Sequence, residues 1–389
     1  MSVGPICFWG SKNGICALTS VRDIFDFDEF PEINLPKDGI IIITRARNEM
    51  LRLPFFLEHY RSIGASHIFV VDNASTDDTA AFLEAQPDVT RFHTSKLYKR
   101  FKRNWLLSIL NKYCANRWTI LADTDEQFIY PGWPETKLTD LTVYWDSVGA
   151  EGVIAPLIDM YSDKPLVDVD YRQGDPFLQT CPYFDTTSTW AVPVSSEGKS
   201  PSFEIRGGIR GRLFGIPPKR REIAPLGQLR NLYLAPAKIH QKLPFRNYLE
   251  RRLKRFLKKQ CPQLTKVPLI RWNPTYSDLW GTHEVDIRTN LAEDWGAMLH
   301  FKFFQDFKFR VEEEITRQAY YANGVEYQAY YTGMEKILHQ SPMYEGSMKF
   351  TNVSDVYASQ QAYCSLSLRR YLKQLSPAKD TSLQETVVA

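Results

Sequence analysis

Short apolar runs that alternate with amphipathic segments are the feature that most constrains the fold of this chain. Ile40 to Ile43 is a continuous β-branched run, and His67 to Asp72 and Trp118 to Ala122 contain similar runs. Strands that are apolar throughout are buried on both faces, as in a parallel sheet. Between them, the apolar residues of Met50 to Tyr60 recur at helical spacing. This alternation predicts an α/β fold with a mostly parallel, Rossmann-like sheet flanked by helices.

Further elements extend the pattern. Val89 to His93 predicts a third strand, Phe101 to Cys114 a long helix with one apolar face, and Gly152 to Ile158 another strand. Turn-rich segments after residue 130 predict antiparallel additions, and helical spacing from Phe307 onward predicts helical C-terminal additions.

The composition is that of an ordinary folded protein, because 43% of the residues are hydrophobic and 24% are charged. The six cysteines are scattered without a CxxC pair, so neither a disulfide framework nor a zinc site is expected. The sequence has no run of about 18 apolar residues and no basic flank before an N-terminal apolar stretch. We therefore expect a cytoplasmic protein without a signal peptide or a transmembrane helix.

Polar residues cluster directly after three of the apolar runs. The clusters are Thr44 to Glu49, Asp72 to Asp77 and Asp123 to Asp125. Ligands of open parallel sheets bind beyond the carboxyl ends of the strands, so we expect the clusters to converge on one rim. Asp123 and Asp125 lie two residues apart, and in extended backbone both carboxylates can share one Mg²⁺ or Mn²⁺ ion. The alternative is a pair of strand-end carboxylates that cap the next turn.

Asp72 and several arginines add further candidate contacts. Asp72 can accept hydrogen bonds from a base or a ribose, or it can form an Asx turn. Arg45, Arg47, Arg100 and Arg103 can neutralise a diphosphate, although any one of them is more often a solvated surface cation.

Four ordered segments resemble one protein family. They are Ala46 to Glu49, Leu53 to Tyr60, Val71 to Thr79 and Trp118 to Pro131. Together they are similar to the glycosyltransferase family two-like proteins of bacterial surface-polysaccharide loci, which have the GT-A fold. Trp295 to Lys302 resembles the segment with which these proteins close their catalytic domain.

The resemblance implies a nucleoside-diphosphate-sugar donor and a divalent metal, Mn²⁺ or Mg²⁺. We expect the donor to be a UDP-sugar. The resemblance also implies that Asp125 binds the metal, that Asp123 lies near the ribose or the metal, and that His300 reaches the metal or the diphosphate. A packed core histidine is the other interpretation of His300. The residues expected to bind the nucleotide-sugar are Thr44, Arg45, Glu49, Asp72, Arg103, Asp123 and Thr124.

The resemblance also suggests a domain organisation. Residues 1–38 are an N-terminal lead-in, and residues 39–310 are the GT-A domain. Within that domain, about 39–130 form the nucleotide-sugar half and about 131–310 the acceptor half. Residues 311–389 are a helical C-terminal extension with a polar tail.

The proton of the acceptor hydroxyl needs a base if the sugar is transferred with inversion, as the resemblance implies. Glu284 and Asp159 are the candidate bases, and each is equally consistent with a structural carboxylate. His283 can bind the acceptor or the diphosphate. The sequence lacks the QxxRW-type motif of processive members, so we expect transfer of single sugars to a glycan or lipid-linked acceptor.

Gly207 to Phe214 is a glycine- and arginine-rich loop after a predicted strand. Its backbone N–H groups, with Arg210 or Arg212, can hold an anion such as an acceptor phosphate. Lys302 is a further candidate for the acceptor or a phosphate. A surface turn is the alternative, and the loop lacks the spacing of a P-loop, so we do not expect an ATPase.

Residues 244–260 combine a cationic face with a narrow apolar stripe at helical spacing. This pattern is typical of an amphipathic helix that binds an anionic membrane surface. Nucleic-acid binding and a solvated helix packed on the core are the other interpretations. We expect peripheral association with the inner membrane face and no nucleic-acid partner.

Two other functions remain open. One is a non-catalytic nucleotide- or carbohydrate-binding protein on the same fold, and the other is a sugar nucleotidyltransferase. Enzymes of the second class usually have a glycine-rich basic loop after the first strand, and Arg45 to Asn48 contains no glycine.

Overall fold

The computed structural model describes residues 20–193, 198–214, 262–275, 279, 282–317 and 325–375. The basic helix predicted at 244–260 lies outside the described residues. None of the helices in the described ranges combines the length and the apolar character that crossing a bilayer requires.

The described strands are short. They are β1 (Ile40–Ala46), β2 (Ala65–Asp72), β3 (Val89–His93), β4 (Trp118–Leu121), β5 (Glu126–Ile129), β6 (Gly152–Ile154), β7 (Leu157–Asp159), β8 (Tyr183–Asp185), β9 (Thr189–Pro193), β10 (Lys199–Ser200), β11 (Phe203–Gly207), β12 (Leu269–Arg271), β13 (Val285–Asp286), β14 (Leu291–Trp295), β15 (Ala297–His300) and β16 (Ser347–Lys349).

The α-helices are mostly of ten residues or fewer. They are α1 (Leu53–Ser62), α2 (Thr79–Glu84), α3 (Tyr98–Tyr113), α4 (Leu138–Ser147), α5 (Phe177–Thr180), α6 (Gly208–Phe214), α7 (Phe307–Arg317), α8 (Val325–Gly333), α9 (Glu335–Leu338), α10 (Val353–Ala358) and α11 (Leu366–Leu375). Two short 3₁₀ helices lie at Val21–Asp23 and Leu166–Asp168.

Seven strands form the central sheet, in the order β14-β6-β12-β4-β1-β2-β3. β12 is antiparallel to β4 and β6, and the other neighbouring strands are parallel. The apolar runs form the buried strands of this sheet, and Ile41 and Ile42 have no exposed surface. The prediction of an α/β fold with a mostly parallel, helix-flanked sheet is thereby confirmed.

A second sheet, β5-β15-β7, contains several of the candidate site residues. β15 is antiparallel to β5 and parallel to β7, and this register places His300 opposite both Glu126 and Asp159. The single strand predicted from Gly152 to Ile158 is divided into β6 and β7. Pro156 lies between them and has no N–H to donate to a sheet, so the chain leaves one sheet there and enters the other.

The helices cover both the central sheet and its additions. α3 begins at Tyr98, three residues before the predicted start, and buries Trp105, Ile109 and Leu110. α7 and α8 contribute Val311 and Tyr330 to one apolar cluster with residues from the middle of the chain. The packing is therefore continuous across residue 310, where the sequence suggested the start of an extension.

The described part of the lead-in also belongs to the core. The rings of Phe25, Phe27 and Phe30 lie 5.9, 5.6 and 5.5 Å from the ring of Phe92 in β3. The Trp105 ring donates a hydrogen bond to the carbonyl oxygen of Ile24 at 2.8 Å. These contacts attach the lead-in to the outer edge of the central sheet.

Candidate functional site

Two loops meet where the strand order of the central sheet reverses. β2 and β3 lie on one side of β1 and β4 lies on the other, so a crevice opens beyond the carboxyl ends of β1 and β4. Arg47 donates to the carbonyl oxygens of Asn73 and Ala74 at 2.8 and 3.0 Å. The Asn48 side chain accepts a hydrogen bond from the Thr76 N–H at 2.8 Å. The loops after β1 and β2 therefore hold each other in place beside the crevice.

Asp72 is engaged within its own loop. One carboxylate oxygen accepts a hydrogen bond from the Ser75 N–H at 2.9 Å, and the other forms an ion pair with Arg91 at 2.8 Å. The side chain is buried. This geometry corresponds to the structural interpretation of Asp72, in which the side chain caps its own turn, although the bond reaches the third residue on and not the second as in an Asx turn.

Asp123 lies at the mouth of the crevice between two cations. Its Oδ1 is 2.7 Å from Arg45, and its Oδ2 is 3.8 Å from the Lys266 Nζ. Burial raises the pKa of Asp123, but Arg45 and Lys266 outweigh burial and lower this pKa to about 2. The carboxylate is therefore ionised at neutral pH and 38% exposed, which leaves it accessible to a ligand.

A buried ion pair lies beneath Asp123. The Lys266 Nζ is 2.6 Å from Glu126 Oε1, and both side chains are almost fully buried. Glu126 Oε2 accepts a hydrogen bond from the Asp123 N–H at 3.1 Å. Glu126 therefore fixes both the backbone of the Asp123 turn and the cation below it. Burial raises the pKa of this carboxyl.

Asp125, His300 and Asp159 form a line in the second sheet. His300 Nε2 lies 3.4 Å from Asp125 Oδ2, and His300 Nδ1 lies 2.5 Å from Asp159 Oδ1. Burial lowers the pKa of His300, but the two carboxylates outweigh it and raise this pKa. Burial also opposes ionisation of Asp125, yet His300 and the nearby cations hold its pKa well below the usual range.

Asp125, Glu126 and His300 could hold a divalent ion. Their candidate ligand atoms lie within 4.8 Å of one another, and all three residues are buried. Carboxylate oxygens are the ligands that Mg²⁺ and Mn²⁺ prefer, so the chemistry of the donor set fits such an ion. The sequence prediction of the ligand set named Asp123 in place of Glu126.

Cations lie near both Asp123 and Asp125. Near Asp123, Arg45 and the Lys102 Nζ each lie 5.6 Å from the centre of the Tyr98 ring. Burial, and then the charge of Arg45, lower the pKa of Lys102. Near Asp125, the charges of Lys302 and Arg310 help to lower the pKa of Asp125.

Arg210 is buried behind Asp159 and does not face an open anion site. Its Nε lies 2.8 Å from Asp159 Oδ2, and its Nη1 lies 3.2 Å from Glu326 of α8. Burial opposes ionisation of Asp159, but Arg210 and His300 lower its pKa. Lys302 lies nearby, with its Nζ 5.4 Å from the centre of the Tyr327 ring.

Several residues predicted to bind the nucleotide-sugar are engaged inside the protein. Glu49 is buried, and its two oxygens lie 2.8 and 2.5 Å from Arg310 of α7. Arg103 donates to the carbonyl oxygen of Leu279 at 2.8 Å. Thr44 and Thr124 are buried at the carboxyl ends of β1 and β4.

The candidate base Glu284 and the acceptor candidates also have internal partners. Glu284 lies 2.9 Å from Lys199 on the neighbouring strand. His283 Nδ1 is 2.7 Å from the carbonyl oxygen of Thr265, and burial lowers the pKa of His283 to about 3. Arg212 lies 3.2 Å from Asp185, away from Asp125 and its neighbours in the second sheet.

Sequence reasoning missed three residues that shape the crevice: Glu126, Lys266 and Arg310. Glu126 directly follows Asp125, and that adjacency is the signal that could have identified it. Lys266 follows the basic segment at residues 244–260, and nothing near it in the sequence indicates its buried partner Glu126. Arg310 lies on a helix assigned to the end of the domain, and its pairing with Glu49 depends on tertiary contact.

No family model matches this chain, and no curated protein matches its sequence. Among the solved structures that are similar over part of the chain are three that each share 11% sequence identity with it. HddC from Yersinia pseudotuberculosis aligns over 34% of this chain and 65% of its own length, with a TM-score of 0.22. This chain therefore covers 65% of the HddC structure.

The other two similar structures are UDP-glucose pyrophosphorylases. The complex with UDP-glucose aligns over 48% of this chain and 71% of its own, with a TM-score of 0.23. The apo form aligns over 60% of this chain and 91% of its own length, with a TM-score of 0.25.

Proposed function

We propose that this chain is a metal-dependent glycosyltransferase of the GT-A type. It would transfer a sugar from a nucleoside diphosphate, in the simplest case UDP, to a hydroxyl of a glycan or lipid-linked acceptor. The observation that carries the proposal is the meeting of Asp125, Glu126 and His300 beyond the carboxyl end of β4, directly after the ionised Asp123. This is the point of strand-order reversal, where open α/β sheets bind their ligands.

The cations of the crevice support a diphosphate as the leaving group. Charge develops on the diphosphate as the sugar departs, and preorganised positive groups stabilise it there. Arg45 and Lys102 flank the Tyr98 ring, and Lys266 is fixed by its buried carboxylate partner. Arg45 and Lys102 would contact the phosphate oxygens, and the buried Lys266 would act on them only through its charge.

A divalent ion would act as a Lewis acid that stabilises the departing diphosphate when it is bound. Asp125 and His300 would hold this ion, together with Glu126 or Asp123. Asp125 is the best suited of these carboxylates, because Arg45 already contacts Asp123 and Lys266 already contacts Glu126. The acceptor would lie toward Lys302 and Tyr327, whose side chains are close to each other.

The test is a panel of nucleotide-sugars with and without Mn²⁺, scored by thermal shift and by release of the nucleoside diphosphate. A donor at a hundredfold excess over its Kd stabilises the folded protein by about 2.7 kcal/mol. We expect Asp125→Ala to lose both the Mn²⁺-dependent stabilisation and the slow hydrolysis of donor. Asp28→Ala is the control, because Asp28 lies in an exposed surface pair with Arg22 and should leave both signals unchanged.

Other functions give different results in the same experiment. The proposal fails if no nucleotide-sugar stabilises the wild type, or if Asp125→Ala binds and hydrolyses donor equally well. A sugar nucleotidyltransferase would be stabilised by a nucleotide-sugar without releasing a nucleoside diphosphate, and in a parallel reaction it would release pyrophosphate from a nucleoside triphosphate and a sugar phosphate. A non-catalytic binding protein would be stabilised by the nucleotide-sugar without releasing a product.

A further inference from the structure

Both carboxylate oxygens of Asp159 have protein partners, and the side chain is buried. Its Oδ1 is 2.5 Å from His300 Nδ1, its Oδ2 is 2.8 Å from Arg210 Nε, and its side chain is only 1% exposed. A general base must lie within hydrogen-bond reach of the hydroxyl that it deprotonates. Asp159 faces other protein groups with both oxygens, so its position does not suit that role.

We infer that Asp159 is a positioning residue that, with Arg210, orients the His300 ring so that Nε2 faces Asp125 as a metal ligand. The inference rests on the proposed function, because it assigns a metal to Asp125 and His300. Metal-binding histidines usually donate their second ring N–H to a carboxylate, which fixes the tautomer and the orientation of the ring. The pairing of His300 Nδ1 with Asp159 has this form.

The separation between His300 and Asp125 is consistent with a shared ion. Their facing atoms are 3.4 Å apart, longer than an N–H···O hydrogen bond of about 2.7–3.2 Å. Two adjacent ligand atoms that each lie about 2.1 Å from an octahedral ion are about 3 Å apart. A small adjustment of either side chain would therefore bring both atoms onto one ion.

The glycine-rich loop explains how Arg210 reaches Asp159. Gly207 and Gly208 have φ angles of 110° and 64°, a backbone region that side-chain-bearing residues rarely adopt. A methyl group at Gly208 would already lie 3.4 Å from Asp159 Oδ2. The two glycines thus allow α6 to begin close to Asp159 and to place Arg210 against it. This assigns the loop a supporting role in place of the predicted acceptor-phosphate contact.

Helix α8 completes the support. Arg210 Nη1 lies 3.2 Å from Glu326 and 3.5 Å from the Tyr330 hydroxyl, both on α8, and Glu326 also contacts Tyr330. The line of contacts therefore runs from α8 through Arg210 and Asp159 to His300. A C-terminal helix thereby contributes to the geometry of the site in the second sheet.

The test measures the affinity of the full chain for Mn²⁺ by calorimetry, with no nucleotide-sugar present. Asp159→Asn keeps the shape of the side chain but has only one acceptor oxygen for the two donors, His300 and Arg210. We expect the Kd for Mn²⁺ to rise about 10–100-fold. Asp185→Asn is a matched control, because Asp185 is a buried aspartate that pairs with Arg212 of α6. It should change the Kd less than about twofold.

Three results would overturn the inference. Loss of donor turnover with an unchanged Mn²⁺ affinity in Asp159→Asn would restore Asp159 as a base. An equal loss of affinity in Asp159→Asn and Asp185→Asn would show a general effect on folding. The third result is that the wild type itself does not bind Mn²⁺, which would refute the proposed metal site. Titration of the wild type separates this result from the other two, because both of those require a wild type that binds Mn²⁺.

A measurement on the wild type covers the case in which Asp159→Asn does not fold. The chain has seven histidines, few enough for selective ¹⁵N labelling of the rings, and His300→Gln assigns the His300 signal. On addition of Zn²⁺ as a diamagnetic probe, Nε2 of His300 should shift while Nδ1 keeps its proton. A shift at Nδ1, or no shift at either nitrogen, would contradict the inference.

Discussion

The buried pair between Lys266 and Glu126 gives the sharpest prediction for stability. Its charged atoms are 2.6 Å apart, and the two side chains are only 3% and 2% exposed. At an effective dielectric constant of about 20, the attraction between two such charges is roughly 6 kcal/mol. Removal of both charges from water offsets part of this attraction. The loss of one partner nevertheless leaves a buried charge without compensation.

We expect Lys266→Met to lower the free energy of unfolding by about 3–5 kcal/mol. Methionine fills a similar volume, so the loss should come mainly from the unpaired Glu126 carboxylate. Glu126→Gln should be costly as well, because it leaves the buried Lys266 ammonium with only the more distant Asp123 carboxylate as a partner. In the double variant neither charge remains, and its cost should be well below the sum of the two single costs.

The assay is urea unfolding followed by tryptophan fluorescence for the wild type, the two single variants and the double variant. The pH dependence gives an independent check. Burial raises the pKa of Glu126, and loss of Lys266 raises it further. A carboxyl with a raised folded-state pKa binds protons more tightly in the folded protein, so the deficit of Lys266→Met should shrink as the pH falls from 7.5 toward 5. This reasoning would be refuted if each single variant lost less than about 1 kcal/mol of unfolding free energy, or if the loss in the double variant equalled the sum of the two single losses.

Three further predictions concern other buried groups. Burial lowers the pKa of His59 to about 4 despite its contact with the Phe128 carbonyl oxygen. The unfolded chain therefore binds a proton that the folded one excludes, so stability should decrease by about 3 kcal/mol as the pH falls from 6.5 to 4. This slope should be absent in His59→Gln, and an equal slope in both proteins would contradict the assignment. Gly296→Ala should lower the free energy of unfolding by about 1–3 kcal/mol, because the added Cβ would lie 2.6 Å from the backbone oxygen of Ile129. An unchanged urea midpoint would show that the site expands to accept the methyl group. Arg310→Met should lower the free energy of unfolding by about 3 kcal/mol in the same assay, because it leaves the buried Glu49 carboxylate without its main partner. An unchanged free energy of unfolding would mean that the pair does not form in solution.

Much of the central sheet could be predicted from the sequence because burial leaves a local pattern. The apolar runs at β1, β2 and β4 identify strands covered on both faces, whatever their partners are. The division between β6 and β7 was not predicted, because it depends on which sheet receives each half of the segment. The antiparallel strand β12 was not predicted either, because Leu269–Arg271 is too short to show a strand pattern in the sequence.

The candidate site shows the same limit. Asp123 and Asp125 could be identified because they directly follow a buried strand, and the order of the strands then places them beside the loops after β1 and β2. The partners of the charged residues could not be identified in this way. Glu49 pairs with Arg310, and Asp159 pairs with His300 and Arg210, over sequence separations of 261, 141 and 51 residues.

The sequence by itself therefore determined which segments are buried strands and which acidic residues stand at their carboxyl ends. Only the tertiary structure decided which of those acids remain accessible and which are neutralised inside the protein. The physical reason is that hydrophobic periodicity reports the burial of each segment separately. The ionisation and availability of a carboxylate depend instead on the cations that distant segments bring within a few ångströms of it. For Asp123 the deciding cations are Arg45 at the end of β1 and Lys266, and for Glu126 the deciding cation is Lys266. Lys266 shortly precedes β12, the antiparallel strand that pairs with β4.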